Sequence, residues 1–299
     1  MIKRLSKMFL ILVLAFTTFT SIGFAAGEDD TEVINEKLGF PIVVYGGSLT
    51  DTQKEEVKRL LGVTNPDLVD HITVTGDDLK TYLNGNPNSR MFSSAKITLK
   101  EQGVGLTVDI ITPDNITEVT REMYANALLT AGVEDAVVEV ASPVKVTGHS
   151  ALVGIYKAYD AKGAELDKDR MEVANEELSI ATKLAEEVDK EKVSELLTEI
   201  KKQIAEQNPV TREEVEKIVE DQLSRLNIEL SPEDRQLLID LFEKMRSLNI
   251  NFDNVRNQLE DITKDIKDRI DSVMGDSGFW QGVKDFFRDL FQSIANLFK

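Results

Sequence analysis

The sequence predicts an α+β or α/β N-terminal domain, followed by an α-helical bundle or an extended helical hairpin and by an amphipathic C-terminal helix. Three observations support this prediction. Short β-branched runs alternate with helical periodicities through residues 38–160. Residues 163–274 have no strand pattern, and their apolar residues recur every three or four positions. The last segment, residues 278–299, places its large apolar side chains on one helix face.

The N-terminal residues are predicted to precede the folded body. Residues 1–25 combine a positively charged start, an apolar run at 9–16 and small residues near Ala25, which is typical of a secretory signal peptide. A retained N-terminal anchor is the alternative. Residues 26–37 are charged and are predicted to form a flexible tether.

The composition excludes several classes of function. The chain has no cysteine, which excludes a lipobox, disulfides, thiol catalysis and Cys-ligated zinc. The formal net charge is −18, so a nucleic acid is not expected as a partner. A secreted chain of this length without cysteine fits export by a bacterium, and a Gram-positive bacterium better than an animal. We therefore expect a location that is secreted or at the outer face of the cytoplasmic membrane, within the cell envelope.

The first half of the α/β domain alternates strands with helices. An apolar β-branched run before Gly46 predicts a strand that enters a tight turn. Thr50 and Gln53 have the spacing of a capping box, and Gly62 has the position of a C-terminal helix cap. The predicted elements are, in order, a strand at 41–45, a helix at 50–61, a strand at 72–75, a helix at 77–83 and a surface loop and candidate binding loop at 84–90.

The second half of this domain begins with two strand patterns that flank Gly103 and Gly105, which predicts a β-hairpin. A helical pattern then ends at Gly132. The predicted elements are, in order, strands at 95–100 and 106–112, a helix at 120–131, a strand at 136–140 and a helix at 149–159.

Two short motifs recur in the same order in both halves. Leu-Gly-Val at 61–63 and Val-Thr-Gly at 74–76 correspond to Ala-Gly-Val at 131–133 and Val-Thr-Gly at 146–148. This recurrence predicts a duplicated β-α-β-α unit, and coincidence is the alternative. Helices that alternate with strands also predict at least one parallel strand pair.

The region from 163 to 274 is predicted to be helical throughout. Apolar residues at 180–204 step by threes and fours, which predicts one helix that ends before Pro209. Further helices are predicted after a capping box at Thr211 and Glu214, after the Ser231-Pro232 helix start, and along a heptad-like stripe at 255–273.

The C-terminal helix is the strongest functional signal in the sequence. Its charged residues lie outside the apolar face, where Lys284, Asp285, Arg288 and Asp289 cancel, and no apolar run is long enough to span a bilayer. This helix is expected to bury its apolar face against a membrane surface, the helical bundle or another copy of the chain. The predicted contact residues are Phe279, Trp280, Val283, Phe286, Phe287, Leu290, Phe291, Ile294, Leu297 and Phe298.

Four stretches resemble the YpuA-like family, a domain-of-unknown-function family of exported proteins from Firmicutes. The stretches are Gly46-Gly-Ser-Leu-Thr50 after a strand, Tyr124-Ala-Asn-Ala-Leu-Leu-Thr-Ala-Gly-Val133, Val146-Thr-Gly148 with residues 151–159, and the aromatic C-terminal helix. The resemblance extends over nearly the whole chain after the predicted signal peptide. It implies an exported Gram-positive protein with this two-part build, and it implies no catalytic residue.

The residues themselves give little support for catalysis or for a cofactor. His149 and Ser150 are an adjacent base and hydroxyl, but the second glycine of a nucleophile elbow is missing. His71 lacks a partner at metal-ligand spacing, and the acidic segment at 160–172 fails the EF-hand pattern. We therefore predict no catalytic, cofactor-binding or metal-binding residue and no cofactor.

The sequence leaves three functional hypotheses. The first is a non-enzymatic, exported cell-envelope protein, tethered by its C-terminal helix to the membrane surface or to a protein partner. The second is an envelope-polymer hydrolase with a site near residues 46–50, 84–90 or 148–150. The third is a secreted, self-associating helical adaptor.

Overall fold

The computed structural model of the chain describes residues 38–248 and 250–274. The predicted signal peptide, the tether and the C-terminal helix at 278–299 lie outside the described residues. Within the described ranges, no helix combines the length and the apolar composition that crossing a bilayer requires.

The described residues form a five-stranded mixed sheet and nine α-helices, which confirms an α+β domain with additional helices. The strands are β1 Ile42–Gly46, β2 Asp70–Val74, β3 Ser94–Leu99, β4 Leu106–Ile110 and β5 Ala136–Ala141. The helices are α1 Asp51–Leu60, α2 Gly76–Leu83, α3 Arg121–Ala131, α4 Ser150–Ala161, α5 Lys168–Leu184, α6 Lys190–Gln207, α7 Arg212–Leu226, α8 Pro232–Ser247 and α9 Arg256–Met274.

The sheet has the strand order β2-β1-β3-β5-β4. β1 pairs in parallel with β2, and β4 pairs in parallel with β5. β3 lies between these two pairs and is antiparallel to both of its neighbours. The expected parallel pairing is therefore confirmed, and it occurs twice.

The predicted β-hairpin between β3 and β4 is wrong, because β5 lies between these two strands. The backbone N–H groups of Gly103 and Gly105 both donate to the Asp135 carboxylate, at 2.9 and 2.8 Å. Asp135 immediately precedes β5. The connection from β3 to β4 is thus held against the start of β5, so the glycines do not form a hairpin turn.

Each parallel pair belongs to a β-α-β-α segment, β1-α1-β2-α2 or β4-α3-β5-α4. The helices between the paired strands differ in burial. Only Val57 of α1 is buried, whereas every residue of α3 except Arg121 is buried. The element order agrees with the predicted repeat, and the duplication itself stays a prediction.

A large hydrophobic core extends from one face of the sheet into the helices. It includes Val44 and Val138 of the sheet, Leu197 of α6, Phe242 of α8 and Leu259 of α9. A smaller cluster lies under α1 on the opposite face of the sheet. Because one core joins strands and helices, burial of the same side chains stabilises both regions, at about 1.5–3 kcal/mol for each large one.

The single helix predicted across 180–204 is also wrong. α5 ends at Leu184, and α6 begins at Lys190. The Asp189 carboxylate accepts from the N–H groups of Glu191 and Lys192, at 3.1 and 3.2 Å, and so caps a new helix. The apolar spacing continues across the break because both helices face the same core.

Candidate functional site

Four of the five strands point in one direction, so their carboxyl ends meet at one edge of the sheet. β3 begins at that same edge, where Ser94 pairs with Ala141 at the end of β5. Ligands of open α/β sheets commonly bind outside the carboxyl ends of the strands. The loops at this edge are therefore the first place to look for a site.

A groove of about 490 Å³ lies at this edge, and we call it the edge groove. Two loops form most of it, residues 89–92 before β3 and residues 145–150 before and at the start of α4. The lining residues are Leu79, Ser89, Arg90, Met91, Phe92, Lys145, Val146, Thr147, Gly148, His149, Ser150 and Asn175.

The first loop is held in place by the turn after β1. The Met91 N–H donates to the Ser48 hydroxyl at 3.0 Å, and the Ser48 N–H donates to the Met91 carbonyl at 2.9 Å. Beneath the loop, a Cβ at Gly76 would lie 1.9 Å from the Pro87 carbonyl oxygen, so only glycine fits there. The turn at residues 46–50 therefore positions the groove without lining it.

The second loop is fixed on α3 through Gly148. Its φ is +113°, and a Cβ there would lie 2.7 Å from the Tyr124 hydroxyl. That hydroxyl donates to the Gly148 carbonyl at 2.6 Å, and Tyr124 is fully buried. Val146 also forms an isolated parallel bridge with Ile116. These contacts explain physically why the chain has glycine at 148.

His149 bridges two threonine hydroxyls. Its Nδ1 lies 3.3 Å from Thr147 Oγ1, and its Nε2 lies 3.3 Å from Thr182 Oγ1. Because the Thr182 hydroxyl donates to the Leu178 carbonyl, the geometry fits an imidazole protonated on Nε2. Burial lowers the pKa of His149, while the charge of Glu118 acts in the opposite direction. The lowered pKa favours the neutral imidazole.

The charge of the edge groove is opposite to that of the whole chain. Arg90 and Lys145 are exposed and form no ion pair in the part of the chain that the structure describes. The Arg90 guanidinium lies 5.5 Å from the centroid of the Phe92 ring. No carboxylate lines the groove among the described residues. A chain with a net charge of −18 thus has a groove whose lining carries two cations and no carboxylate, although the charge of Glu118 acts on His149.

The groove lacks the geometry of a hydrolytic dyad. Among the described residues, His149 and Ser150 form no hydrogen bond with each other. The His149 contacts to hydroxyls, at 3.3 Å, exceed the roughly 2.6–3.2 Å of nucleophile–base pairs. In the Nε2-protonated form, the imidazole donates to the Thr182 hydroxyl and accepts from the Thr147 hydroxyl, so both ring nitrogens contact threonines.

The structure brings together two of the three segments that the sequence proposed for a site. Residues 89–90 of the turn-rich loop and residues 148–150 both line the edge groove. Lys145, Phe92 and Asn175 were not predicted, because no local pattern relates them to these loops. The predicted contact residues between Phe279 and Phe298 lie outside the described residues.

A second groove, of about 460 Å³, surrounds His71 and serves as a comparison. The Tyr45 hydroxyl lies 3.0 Å from His71 Nδ1, and burial raises the pKa of Tyr45 to about 12, with a smaller contribution from Glu55. Lys54 and Lys58 line this groove together with Asp51 and Glu55. The His71 groove is therefore balanced in charge, unlike the edge groove.

A separate group of polar residues lies fully buried between α3, α5 and α6, and we call it the buried polar cluster. The Lys201 ammonium contacts the Glu177 carboxylate at 2.6 Å and donates to the Asn126 carbonyl at 2.7 Å. The Thr130 hydroxyl donates to Glu177 at 2.6 Å, and the Asn126 amide donates to Thr198 at 2.9 Å. Burial lowers the pKa of Lys201, and Glu177 opposes that shift.

The buried polar cluster gives a physical reason for the most distinctive motif in the sequence. Asn126 and Thr130 are the polar residues of Asn-Ala-Leu-Leu-Thr-Ala-Gly-Val, and both side chains point into the cluster. The Arg170 guanidinium donates to the carbonyls of Thr130 and Leu129 near the end of α3. This motif therefore joins α3 to the helical region and does not form an open site.

Comparison with known proteins identifies relatives of unknown function. The family described as protein of unknown function (DUF1002) matches residues 45–262. The chain is 36% identical over 269 residues to the uncharacterized protein YpuA of Bacillus subtilis (strain 168), covering 88% of this chain and 91% of that protein. No solved structure matches the chain. These findings confirm the resemblance that the sequence motifs indicated.

Proposed function

The chain belongs to the DUF1002 family, and we propose that it is an exported, non-enzymatic cell-envelope protein that binds an envelope component in the edge groove. In this proposal the C-terminal helix tethers the body to the outer surface of the cytoplasmic membrane. The observation that supports it best is the edge groove, which has two cations, hydroxyl groups and an apolar wall. Among the described residues, its His149 and Ser150 form no hydrogen bond with each other, and His149 lies 3.3 Å from the Thr147 hydroxyl.

The proposed tether rests on the sequence of the last helix. In a helix its ten large apolar residues would share one face, and the charges of Lys284, Asp285, Arg288 and Asp289 outside that face would cancel. The main attraction is therefore hydrophobic, and each buried side chain contributes about 1.5–3 kcal/mol before entropy losses. A membrane surface is the occupant we propose, and a protein partner or a second copy of the chain are the other outcomes of the test.

Co-flotation with liposomes tests the tether. The purified protein and a variant that lacks residues 279–299 are mixed with phosphatidylcholine vesicles and centrifuged through a density gradient. We expect only the intact protein to float. Equal behaviour of the two proteins would contradict the tether, and a concentration-dependent mass by light scattering would favour self-association.

A hydrolase is the second candidate, because His149, whose pKa is lowered by burial, lies in a groove that also contains Thr147 and Ser150. The test is to incubate the protein with purified envelope polymers and to measure the release of soluble fragments. We expect no release. Release that His149→Gln and Ser150→Ala both abolish would replace the non-enzymatic proposal with the hydrolase.

A further inference from the structure

We infer that the ligand of the edge groove is a slender anionic polymer, with one phosphate or carboxylate group bound between Arg90 and Lys145. This inference rests on the proposed function, because it names the chemistry of the envelope component. Four features support it. The groove has cations without acidic partners, an arginine that lies against an aromatic ring and several uncharged polar groups, and the rest of the protein is acidic.

The cations of the edge groove have no acidic neighbours in its lining. Arg90 and Lys145 line the groove with no Asp or Glu among the described residues beside them. In the His71 groove, by contrast, Lys58 is paired with Glu55 at 2.6 Å. The two grooves are similar in volume, about 490 and 460 Å³, but their linings differ in net charge. Of the two linings, only that of the edge groove has more positive than negative side chains.

The Arg90 side chain lies over the ring of Phe92. Its guanidinium lies 5.5 Å from the centroid of the Phe92 ring, within the range of a cation–π contact. A guanidinium can bind phosphate or carboxylate through two parallel hydrogen bonds. The contact with Phe92 reduces the conformational freedom that Arg90 would lose on binding an anion.

Uncharged polar groups surround the two cations. The hydroxyls of Ser89, Thr147 and Ser150 and the amide of Asn175 line the same groove. Such groups can donate to the remaining oxygens of an anion or to hydroxyls of the polymer between successive anionic groups. The lining therefore suits a polar, charged repeat better than a purely apolar ligand.

The acidity of the whole chain favours a thin polymer over a flat anionic surface. A protein with a net charge of −18 is repelled by a flat anionic surface, because many of its acidic groups approach that surface together. Charges farther away than about 8 Å are largely screened at physiological salt, so a single polymer chain in the groove interacts mainly with the local cations. We therefore choose a polymer over an anionic bilayer as the occupant.

The test is a titration of the purified protein with poly(glycerol phosphate) and, separately, with polygalacturonate, with affinity measured by calorimetry. Inorganic phosphate and phosphatidylglycerol vesicles are the other two probes. The chain has two histidines, so their ring proton NMR signals report the two grooves separately. We expect at least one polymer to bind more tightly than inorganic phosphate and to shift the His149 signal more than the His71 signal.

Matched double variants locate the binding. The double variant Arg90→Ala with Lys145→Ala removes both edge-groove cations. We expect it to bind the polymer at least about tenfold more weakly, because each substitution removes a charge-assisted hydrogen bond to the anion. Lys54→Ala with Lys58→Ala makes the same charge change in the His71 groove and should retain the original affinity. Equal losses in the two double variants would overturn the inference, because they would indicate an effect of overall charge.

Failure of this inference can be told apart from failure of the proposed function. Retention on isolated cell-wall material without binding to either polymer would overturn the anionic ligand alone. Absence of both wall retention and tail-dependent flotation would overturn the proposed function. Vesicle binding that depends on Arg90 and Lys145, in a variant without residues 279–299, would replace the polymer with a membrane surface.

Discussion

The buried polar cluster and the edge groove both collect polar side chains from separate elements, but their surroundings differ. Lys201 and Glu177 are 0% and 1% exposed, and each contacts polar partners within the protein. Arg90 and Lys145 are exposed and have no carboxylate partner in the described part of the chain. The buried Lys201–Glu177 ion pair joins α5 and α6, whereas cations without a carboxylate partner at an open edge remain available to a ligand.

The largest effect should follow from breaking the buried polar cluster. Lys201→Met leaves the Glu177 carboxylate buried without its cation, and we expect a loss of about 3–5 kcal/mol in the free energy of unfolding. Urea denaturation measures this loss. The control is Glu177→Leu with Lys201→Met, which removes both charges and should recover most of the stability. A double variant as unstable as the single one would mean that packing, not charge, determines the loss.

A smaller effect should follow from the glycine that connects the edge groove to the interior. Gly148→Ala places a Cβ 2.7 Å from the Tyr124 hydroxyl at a φ of +113°, and we expect a cost of about 3 kcal/mol. Gly163→Ala is the matched control, because its φ is +73° but no atom lies within 4 Å of the added Cβ. Backbone strain alone should cost about 1 kcal/mol there. Similar urea midpoints for the two variants would contradict the tight packing of the second loop.

The contribution of His149 to the pH dependence of stability should be smaller than both of these effects. Its pKa is lowered by burial, so between that pKa and about 6.5 the unfolded chain binds more protons than the folded chain. The stability that His149 contributes is therefore fully present above about pH 6.5 and falls as the pH decreases through this window. We expect His149→Gln to lose less stability than the wild type between pH 7 and pH 5.

NMR titration checks the same shift directly. The midpoint of the His149 signal should lie below about 6.5, the ordinary value for histidine. A bound anion should raise this midpoint, because negative charge stabilises the imidazolium. A midpoint at or above the ordinary value in the free protein would contradict the burial of the ring.

The smallest effect should come from an ion pair with the same separation as the buried one but with an exposed lysine. The Lys183 ammonium and the Asp234 carboxylate are 2.6 Å apart, as are those of Lys201 and Glu177. Water reaches Lys183, and the Ser231 hydroxyl also donates to the Asp234 carboxylate, so we expect Lys183→Ala to leave the urea midpoint within experimental error. A loss comparable to that of Lys201→Met would mean that distance, not burial, sets the contribution of these pairs.

Much of the local structure could be predicted because its causes lie within a few residues. The capping boxes at Thr50 and Thr211 and the N-cap at Ser231 are confirmed. The same reasoning missed Asp189, because a continuous apolar spacing concealed the helix start there.

The candidate site was predicted only in part. Turn chemistry identified the loop that contains Arg90, but no local signal related it to Lys145.

The sequence by itself determined the alternation of strands and helices up to residue 161, the helix caps at Thr50, Thr211 and Ser231, and the helix end at Gly132. These features depend on hydrogen bonds and steric limits between near neighbours in the chain. Only the tertiary structure decided that β5 lies between β3 and β4 and that residues 89–92 meet residues 145–150 in one groove. Contacts between distant segments depend on how the whole core packs, since many pairings satisfy the same local pattern equally well.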